Sequence, residues 1–187
     1  MVNKIKTCVL ISGNGSNLNA LIKSSRDYKF PINIELIISN NVTAKGIKLA
    51  KKYSIPFLCI SSKNQKKFER KILFEFKKKK IQFLCLAGFM KILTNSFIKK
   101  FGYKIVNIHP SLLPKYKGLN THKRAIKHKE KYSGCTVHIV NNKLDSGKII
   151  LQKKVIIEKG ETEHSLKKKI LVLEHKLYTQ SIISIFR

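Results

Sequence analysis

Asn107 and His109 stand two residues apart at the end of an apolar run, Lys104-Ile105-Val106-Asn107-Ile108-His109, that stops at Pro110. Residues i and i+2 of a strand share a face, so the amide and the imidazole project together, and proline ends the strand just beyond them. An uncharged hydrogen-bond donor beside a group that titrates near neutral pH can hold a developing oxyanion and move a proton. That is the chemistry of acyl transfer. The alternative is that His109 only caps the strand end against backbone. A second ingredient lies in Leu144-Asp145-Ser146-Gly147, a carboxylate in a turn. Close to a histidine, an aspartate orients the ring and raises its pKa by favouring the imidazolium; alone, it is an Asx-turn residue.

Two further segments carry binding chemistry. Ser12-Gly13-Asn14-Gly15-Ser16-Asn17-Leu18 is a glycine-rich turn between an apolar run and a helical pattern. Such a turn aims backbone N–H groups and the positive end of a helix dipole at an anion, phosphate being the natural guest. It is not the dinucleotide fingerprint, because Leu18 replaces the third glycine, and it lacks the Gly-Lys-Ser/Thr of a P-loop. Ser16 or Asn17 could also cap the helix. A purely structural turn is the competing reading. Leu86-Ala87-Gly88-Phe89-Met90-Lys91-Ile92-Leu93 is too apolar for a solvated loop, so it either buries itself as core or lines a pocket for a flat apolar ligand.

The elements that must position these groups alternate. β-like runs occur at Ile5 to Ser12, Asn33 to Ser39, Pro56 to Ile60, Gln82 to Ala87, Lys104 to Ile108, Cys135 to Val140 and Lys148 to Ile157. Helix-period runs separate the first five: Asn17 to Ser25, Ala44 to Tyr53, Gln65 to Lys80 and Asn95 to Phe101. Phe68, Ile72 and Phe76 make one apolar stripe with lysines opposite. The pattern predicts an α/β fold with a single open, mostly parallel twisted sheet and helices on both faces. The last two strands lack an intervening helix and are expected to pair antiparallel around the loop Asn141 to Gly147. A final helix from Thr162 carries Leu166, Ile170, Leu173 and Leu177 on its apolar face. Open α/β sheets take ligands beyond the carboxyl ends of their strands, where the Gly13 turn, the Leu86 segment and the Asn107/His109 pair are all expected.

With 187 residues and 43% hydrophobic content, one domain over 1–187 is the default. No apolar run reaches the roughly 18 residues of a membrane span, and Met1-Val2-Asn3-Lys4-Ile5-Lys6 shows no signal-peptide pattern, so a cytoplasmic protein is expected. Cys8, Cys59, Cys85 and Cys135 are isolated, which argues against disulfides and a zinc site. The net charge of +29 raises a nucleic-acid partner. However, 35 of the 39 basic residues are lysine, spread over the whole chain, whereas phosphate and base readers favour arginine. That distribution points to compositional drift toward A/T-rich codons and against specific nucleic-acid binding.

Ile11-Ser12-Gly13-Asn14-Gly15-Ser16-Asn17-Leu18, Leu86 to Leu93, Asn107-Ile108-His109-Pro110-Ser111-Leu112-Leu113-Pro114-Lys115-Tyr116, Gly134-Cys135-Thr136-Val137-His138 and Leu144 to Gly147 together closely resemble the phosphoribosylglycinamide formyltransferases of purine biosynthesis. The match runs in order along nearly the whole chain. The resemblance implies a Rossmann-like formyltransferase fold and transfer of a formyl group from 10-formyltetrahydrofolate to the amino group of glycinamide ribonucleotide (GAR), in a monomer or homodimer and without a metal. It implies Asn107, His109 and Asp145 as the catalytic trio. It implies Gly15, Ser16, Asn17 and Glu174 as contacts of the ribonucleotide, and Met90, Lys91, Ile92 and Leu93 with Asn141, Asn142, Lys143, Leu144 and Asp145 as the border of the folate. Other superfamily members share the His-Pro-Ser-Leu-Leu-Pro stretch, so a formyltetrahydrofolate hydrolase or another formyltransferase is the alternative, and a non-catalytic lysine-rich nucleic-acid binder the rival from another class. A methionyl-tRNA formyltransferase is expected to add a C-terminal domain and that hydrolase an N-terminal regulatory one, whereas a single domain is expected here; together with the first loop, which suits a phosphorylated acceptor, this favours GAR. Two departures from the family pattern stand out: the chain ends at Arg187, and Gln65 occupies a position where a basic folate contact is expected, with Lys63, Lys66 and Lys67 nearby.

Overall fold

Seven strands alternate with six helices among the described residues, 4–187 of a computed structural model. Met1, Val2 and Asn3, which open the run read as lacking a signal peptide, lie outside the described residues. The strands are β1 (Ile5–Ile11), β2 (Ile32–Ser39), β3 (Phe57–Cys59), β4 (Phe83–Leu86), β5 (Ile105–His109), β6 (Tyr132–Ile139) and β7 (Ile149–Ile156), in the sheet order β3-β2-β1-β4-β5-β6-β7. The helices are α1 (Ser16–Ser25), α2 (Ile47–Lys52), α3 (Gln65–Lys79), α4 (Asn95–Phe101), α5 (Thr121–Lys127) and α6 (Glu163–Phe186). This is the open, mostly parallel sheet that the alternation predicts. By internal packing the chain divides into two compact units after Val106, within β5.

In the first unit, β1 pairs parallel with both β2 and β4, and β2 with β3. β4 and the Cys8-Val9-Leu10-Ile11 part of β1 are buried on both faces, as unbroken apolar runs require, whereas Lys6 at the start of β1 is exposed. The expected stripe of α3 is the one it buries: Phe68, Ile72 and Phe76 are all at most 3% exposed. Phe76 also packs against Phe97 and Phe101 of α4, with ring centroids 6.2 and 5.0 Å away. Asn64 caps α3 by accepting from the Lys67 amide, and Thr94 caps α4 by accepting from Phe97.

In the second unit, β6 and β7 pair antiparallel, as expected from their short connection. α6 packs on both strands and α5 packs on α6. α6 begins with a capping box between Thr162 and Ser165. Its buried face corrects the sequence reading in one place: Leu166, Ile170 and Leu177 are buried, but Glu174 is buried and Leu173 only half-buried. α5 is an addition, because no helix was expected between the fifth and sixth strands. Its seven residues, five of them polar, give too short a window for a helical period to show. Among the described residues no helix is long and apolar enough to cross a membrane.

Ile72→Ala, at a fully buried position, is expected to cost about 2–5 kcal/mol in urea unfolding. Phe74→Ala on the same helix, at a side chain 68% exposed, should stay within about 0.5 kcal/mol. Burial lowers the pKa of His109, His122 and His175 below their ordinary 6.5. Lys167 also lowers that of His122, against Glu163. The unfolded chain therefore takes up protons at these positions before the folded one does, and stability should fall as pH drops below 6.5. The slope should be shallower in His122→Asn, measured as urea midpoint against pH.

Candidate active site

β5 ends on His109, one residue later than expected, and its alternation aims Asn107 and His109 at the same carboxylate. His109 Nδ1 lies 3.3 Å from Asp145 Oδ2, and Asn107 Nδ2 lies 3.5 Å from Asp145 Oδ1. Thus Asp145 is not merely a turn residue. It is buried and has φ of 43°, a conformation that non-glycine residues adopt only when their surroundings hold them there. Gly147, two residues on, must lack a side chain: a Cβ there would sit 1.7 Å from the Ile139 carbonyl oxygen. The loop can close on β6 only through that glycine.

The carboxylate has two more partners. The Gly118 amide donates to Asp145 Oδ2 at 2.9 Å, and His138 Nε2 lies 3.6 Å from Oδ1. Burial raises the Asp145 pKa, but the His138 contact, the Gly118 amide and His109 outweigh it, so the carboxyl is held below its usual 3.8. His109 is pulled the other way by its surroundings. Burial lowers its pKa and prevails over the Tyr116 carbonyl and Asp145, which raise it; His138 and Arg124 add to the lowering. Its Nε2 donates to the Tyr116 carbonyl at 2.9 Å. Both ring nitrogens therefore face oxygen acceptors, and a proton arriving on Nδ1 turns a lone-pair repulsion into a charge-assisted bond. His138 Nδ1 donates to the Ile139 carbonyl at 3.0 Å, and its Nε2 lies 3.3 Å from Asn107 Nδ2.

The segment after β5 is fixed from below by a buried hydroxyl. Thr136 Oγ1 donates to the Ser111 carbonyl (2.6 Å) and accepts from the Leu113 amide (3.1 Å) and from Gln152 Nε2 (2.8 Å), which also reaches the Leu113 carbonyl (2.8 Å). His109 is thereby attached to a rigid turn rather than to a mobile loop. Glu174 is buried on α6, where its carboxylate, after burial itself, helps push the Cys135 thiol up to about 12. Asn141, Asn142, Lys143 and Leu144 are exposed, with Leu144 48% accessible.

In the first unit, the glycine turn and the segment after β4 are tied together. Ser12 Oγ donates to Asn40 Oδ1 (2.7 Å) and accepts from the Met90 amide (2.8 Å), while the Ser12 amide donates to the Gly88 carbonyl (3.1 Å). Gly15 has φ of 78° and lies so close to α2 that a Cβ would stand 2.6 Å from Gly46 Cα. Gly15 itself is the N-cap residue of α1 and no side chain caps that helix, so the expected capping by Ser16 or Asn17 is not what the chain does. Both sit in the first turn of α1, beside its positive end. Of the segment after β4, Leu86, Ala87 and Leu93 are core, whereas Met90 and Ile92 are 64% and 65% exposed. Both readings of that segment hold, each for different residues.

The buried Glu69 of α3 accepts from the Thr94 amide (2.7 Å), Thr94 Oγ1 (2.5 Å) and Gln65 Nε2 (2.8 Å). Gln65 Nε2 also donates to the Ile92 carbonyl at 3.0 Å. Gln65 thus latches the loop instead of offering a cation. Ser12, Glu69, Gly118 and His138 were not singled out individually from the sequence. Only His138 carried a signal that could have been used: a histidine on a β-run whose alternation turns it inward.

A model of the formyl transferase family matches residues 5–182. The chain is 40% identical over 182 residues to the human trifunctional purine biosynthetic protein adenosine-3, covering 96% of this chain and 18% of that protein, so it spans less than a fifth of that relative's length. It is 40% identical over 176 residues to the phosphoribosylglycinamide formyltransferase of Haemophilus influenzae, covering 92% of this chain and 83% of that one. The crystal structure of phosphoribosylglycinamide formyltransferase from Brucella melitensis superposes with a TM-score of 0.93 at 34% identity, covering 98% of this chain and 96% of that one. With sequence and fold matched along nearly the same length, the chain belongs to the formyl transferase family, among its phosphoribosylglycinamide formyltransferases.

Proposed function

We propose that this chain transfers the formyl group of 10-formyltetrahydrofolate to the amino group of glycinamide ribonucleotide, giving formyl-GAR in purine biosynthesis, and that residues 1–187 act as one formyltransferase domain. The observation that carries the reading is the convergence of Asn107 and His109 on the buried Asp145 carboxylate. Oxyanion donor, titrating ring and charged support are the three groups acyl transfer to an amine requires.

When bound, the folate supplies an activated formyl carbon. The protein's part is to accept the charge that forms and to move one proton. As the amine attacks, negative charge develops on the formyl oxygen, next to the Asn107 amide and the His109 ring. In the free protein burial holds His109 below 6.5 and hence neutral at pH 7. Its imidazolium is favoured once the oxyanion supplies an opposite charge, with Nε2–H fixed on Tyr116 and Nδ1–H on Asp145. A group stabilised more in the transition state than in the ground state is one that speeds the reaction. Asp145 stays ionised and orients the water through which the amine proton passes to the leaving nitrogen of the folate.

For the substrates, Gly15, Ser16 and Asn17 at the start of α1 suit a ribonucleotide phosphate, with Glu174 as a contact of the same substrate. The exposed apolar side chains of Met90 and Ile92, and separately of Leu144, suit the faces of a flat pteridine. Lys91, Leu93, Asn141, Asn142 and Lys143 complete the folate border in this reading. With Gln65 engaged by Glu69 and Ile92, the cation near that border would come from its lysine neighbours.

Formyl transfer to synthetic GAR, measured for the wild type and His109→Ala under identical conditions, tests the assignment. Activity in the wild type that disappears in the variant supports it; a folded wild type that releases formate without formylating GAR would point to hydrolysis instead. Asn107→Ala is expected to lower turnover by about 100-fold to 1000-fold, the cost of losing an oxyanion donor. Near-normal turnover in that variant would remove the role.

A further inference from the structure

Tyr116 and Gly118 hold the two titratable members of the trio from one short segment. The Tyr116 carbonyl accepts from His109 Nε2 at 2.9 Å, and two residues later the Gly118 amide donates to Asp145 Oδ2 at 2.9 Å. The spacing between ring and carboxylate therefore depends on where residues 116–118 sit. Tyr116 has φ of 55°, a left-handed conformation that an L-residue keeps only when its surroundings fix it. Gly118, at φ of 76°, meets no such barrier.

Apart from the buried Ser111 hydroxyl, which also lies 3.4 Å from the Tyr116 carbonyl, the fixing contacts come from the outer side of the segment. Tyr116 Oη donates to Glu130 Oε1 at 2.7 Å and lies 3.1 Å from His128 Nδ1. Lys115 Nζ reaches both Glu130 oxygens, at 2.9 and 3.0 Å. The Arg124 guanidinium lies 5.0 Å over the Tyr116 ring, and its Nη1 donates to the Lys117 carbonyl at 2.7 Å. Ser111 Oγ donates to the Lys115 carbonyl at 2.7 Å. The Lys115 ion pair is largely exposed and contributes little by itself. The hydroxyl-to-carboxylate bond is charge-assisted and directional, which suits it to hold a backbone in place. The Lys115 ammonium and Tyr116 hydroxyl keep the Glu130 carboxyl below its ordinary value, so it stays an acceptor anion at neutral pH.

We propose that Tyr116 and Glu130 are positioning residues for this reaction: their side-chain hydrogen bond anchors the segment whose Tyr116 carbonyl and Gly118 amide align His109 with Asp145. Neither side chain touches the reacting atoms. The proposal rests on the catalytic reading of His109 and Asp145 given above. Its consequence is that an outward-facing contact, away from the reacting atoms, controls the chemical step.

The test uses the full chain, with Tyr116→Phe, Glu130→Ala and Glu130→Gln compared with the wild type and with His109→Ala. Two readouts are taken: kcat and KM for formyl transfer, and the side-chain 15N resonances of His109. Tyr116→Phe and Glu130→Ala are expected to lower kcat about 10-fold with KM within about twofold, since misplacement of a catalytic group acts on turnover. Both should also shift the His109 Nε2 resonance as its bond to the Tyr116 carbonyl loosens. Glu130→Gln, which keeps an acceptor for the hydroxyl, should recover most of the lost kcat and the wild-type resonance. Unchanged kcat and resonance in folded Tyr116→Phe and Glu130→Ala would overturn the proposal while leaving the His109 assignment standing. Lowered thermal stability with an unmoved resonance would overturn it as well, leaving a structural role. Full activity in His109→Ala would instead remove the catalytic reading, and the positioning role with it.

Discussion

A carboxylate taken out of water must be compensated or it will not stay charged, and the local architecture around Asp145 follows from that requirement. The Gly118 amide, the His109 ring, the Asn107 amide and His138 surround it within 3.6 Å. These four groups come from three structural devices: the end of β5, which carries both Asn107 and His109, the turn after it, and the neighbouring strand β6. Gly147 lets the Asp145 loop close, and Thr136 with Gln152 keeps the turn after β5 rigid. A charge held this way needs no reorganisation when the His109 ring beside it takes up a proton, which is what preorganised electrostatic stabilisation means physically.

The first unit solves a related problem with neutral and singly charged side chains. The two segments that follow β1 and β4 have few apolar anchors of their own. Ser12 fixes one to the other through the Met90 amide, and Glu69 with Gln65 fixes residues 92–94 to α3. Met90 and Ile92 stay exposed because the backbone on either side is held by hydrogen bonds rather than by burying those side chains. Exposed apolar groups on a rigid frame are suited to grip a flat ligand; on a flexible loop they would collapse inward.

Strong periodicity made most of the fold legible. The alternation of apolar strands with helical runs, and the apolar spacing after Thr162, located five of the six helices and the sheet class, and the absence of a helical run between Cys135 and Ile157 identified the antiparallel pair. What escaped was short or local. α5 has too few residues to show a period, and the N-terminus of α1 depends on the φ of Gly15 rather than on a capping side chain. The pairing of Asn107 and His109 could be read because strand geometry alone puts i and i+2 together. Asp145 needed the family resemblance, since 36 residues separate it from His109 and no spacing rule connects them. His138, Gly118 and Tyr116 became visible only with their contacts, two of them acting through backbone atoms that every residue possesses.

The surplus of 29 positive charges is a property of composition more than of the site. Among the described residues the buried cluster is built from one acid, two histidines and an amide, and its lysines lie outside it. The measurement that tests this account most directly is formyl transfer by Asp145→Asn, which preserves shape and removes the charge. Turnover reduced by at least about 100-fold in a folded variant is the expected result, since the imidazolium then loses its counter-charge and the proton its relay. Turnover near that of the wild type would contradict the central role assigned to the carboxylate.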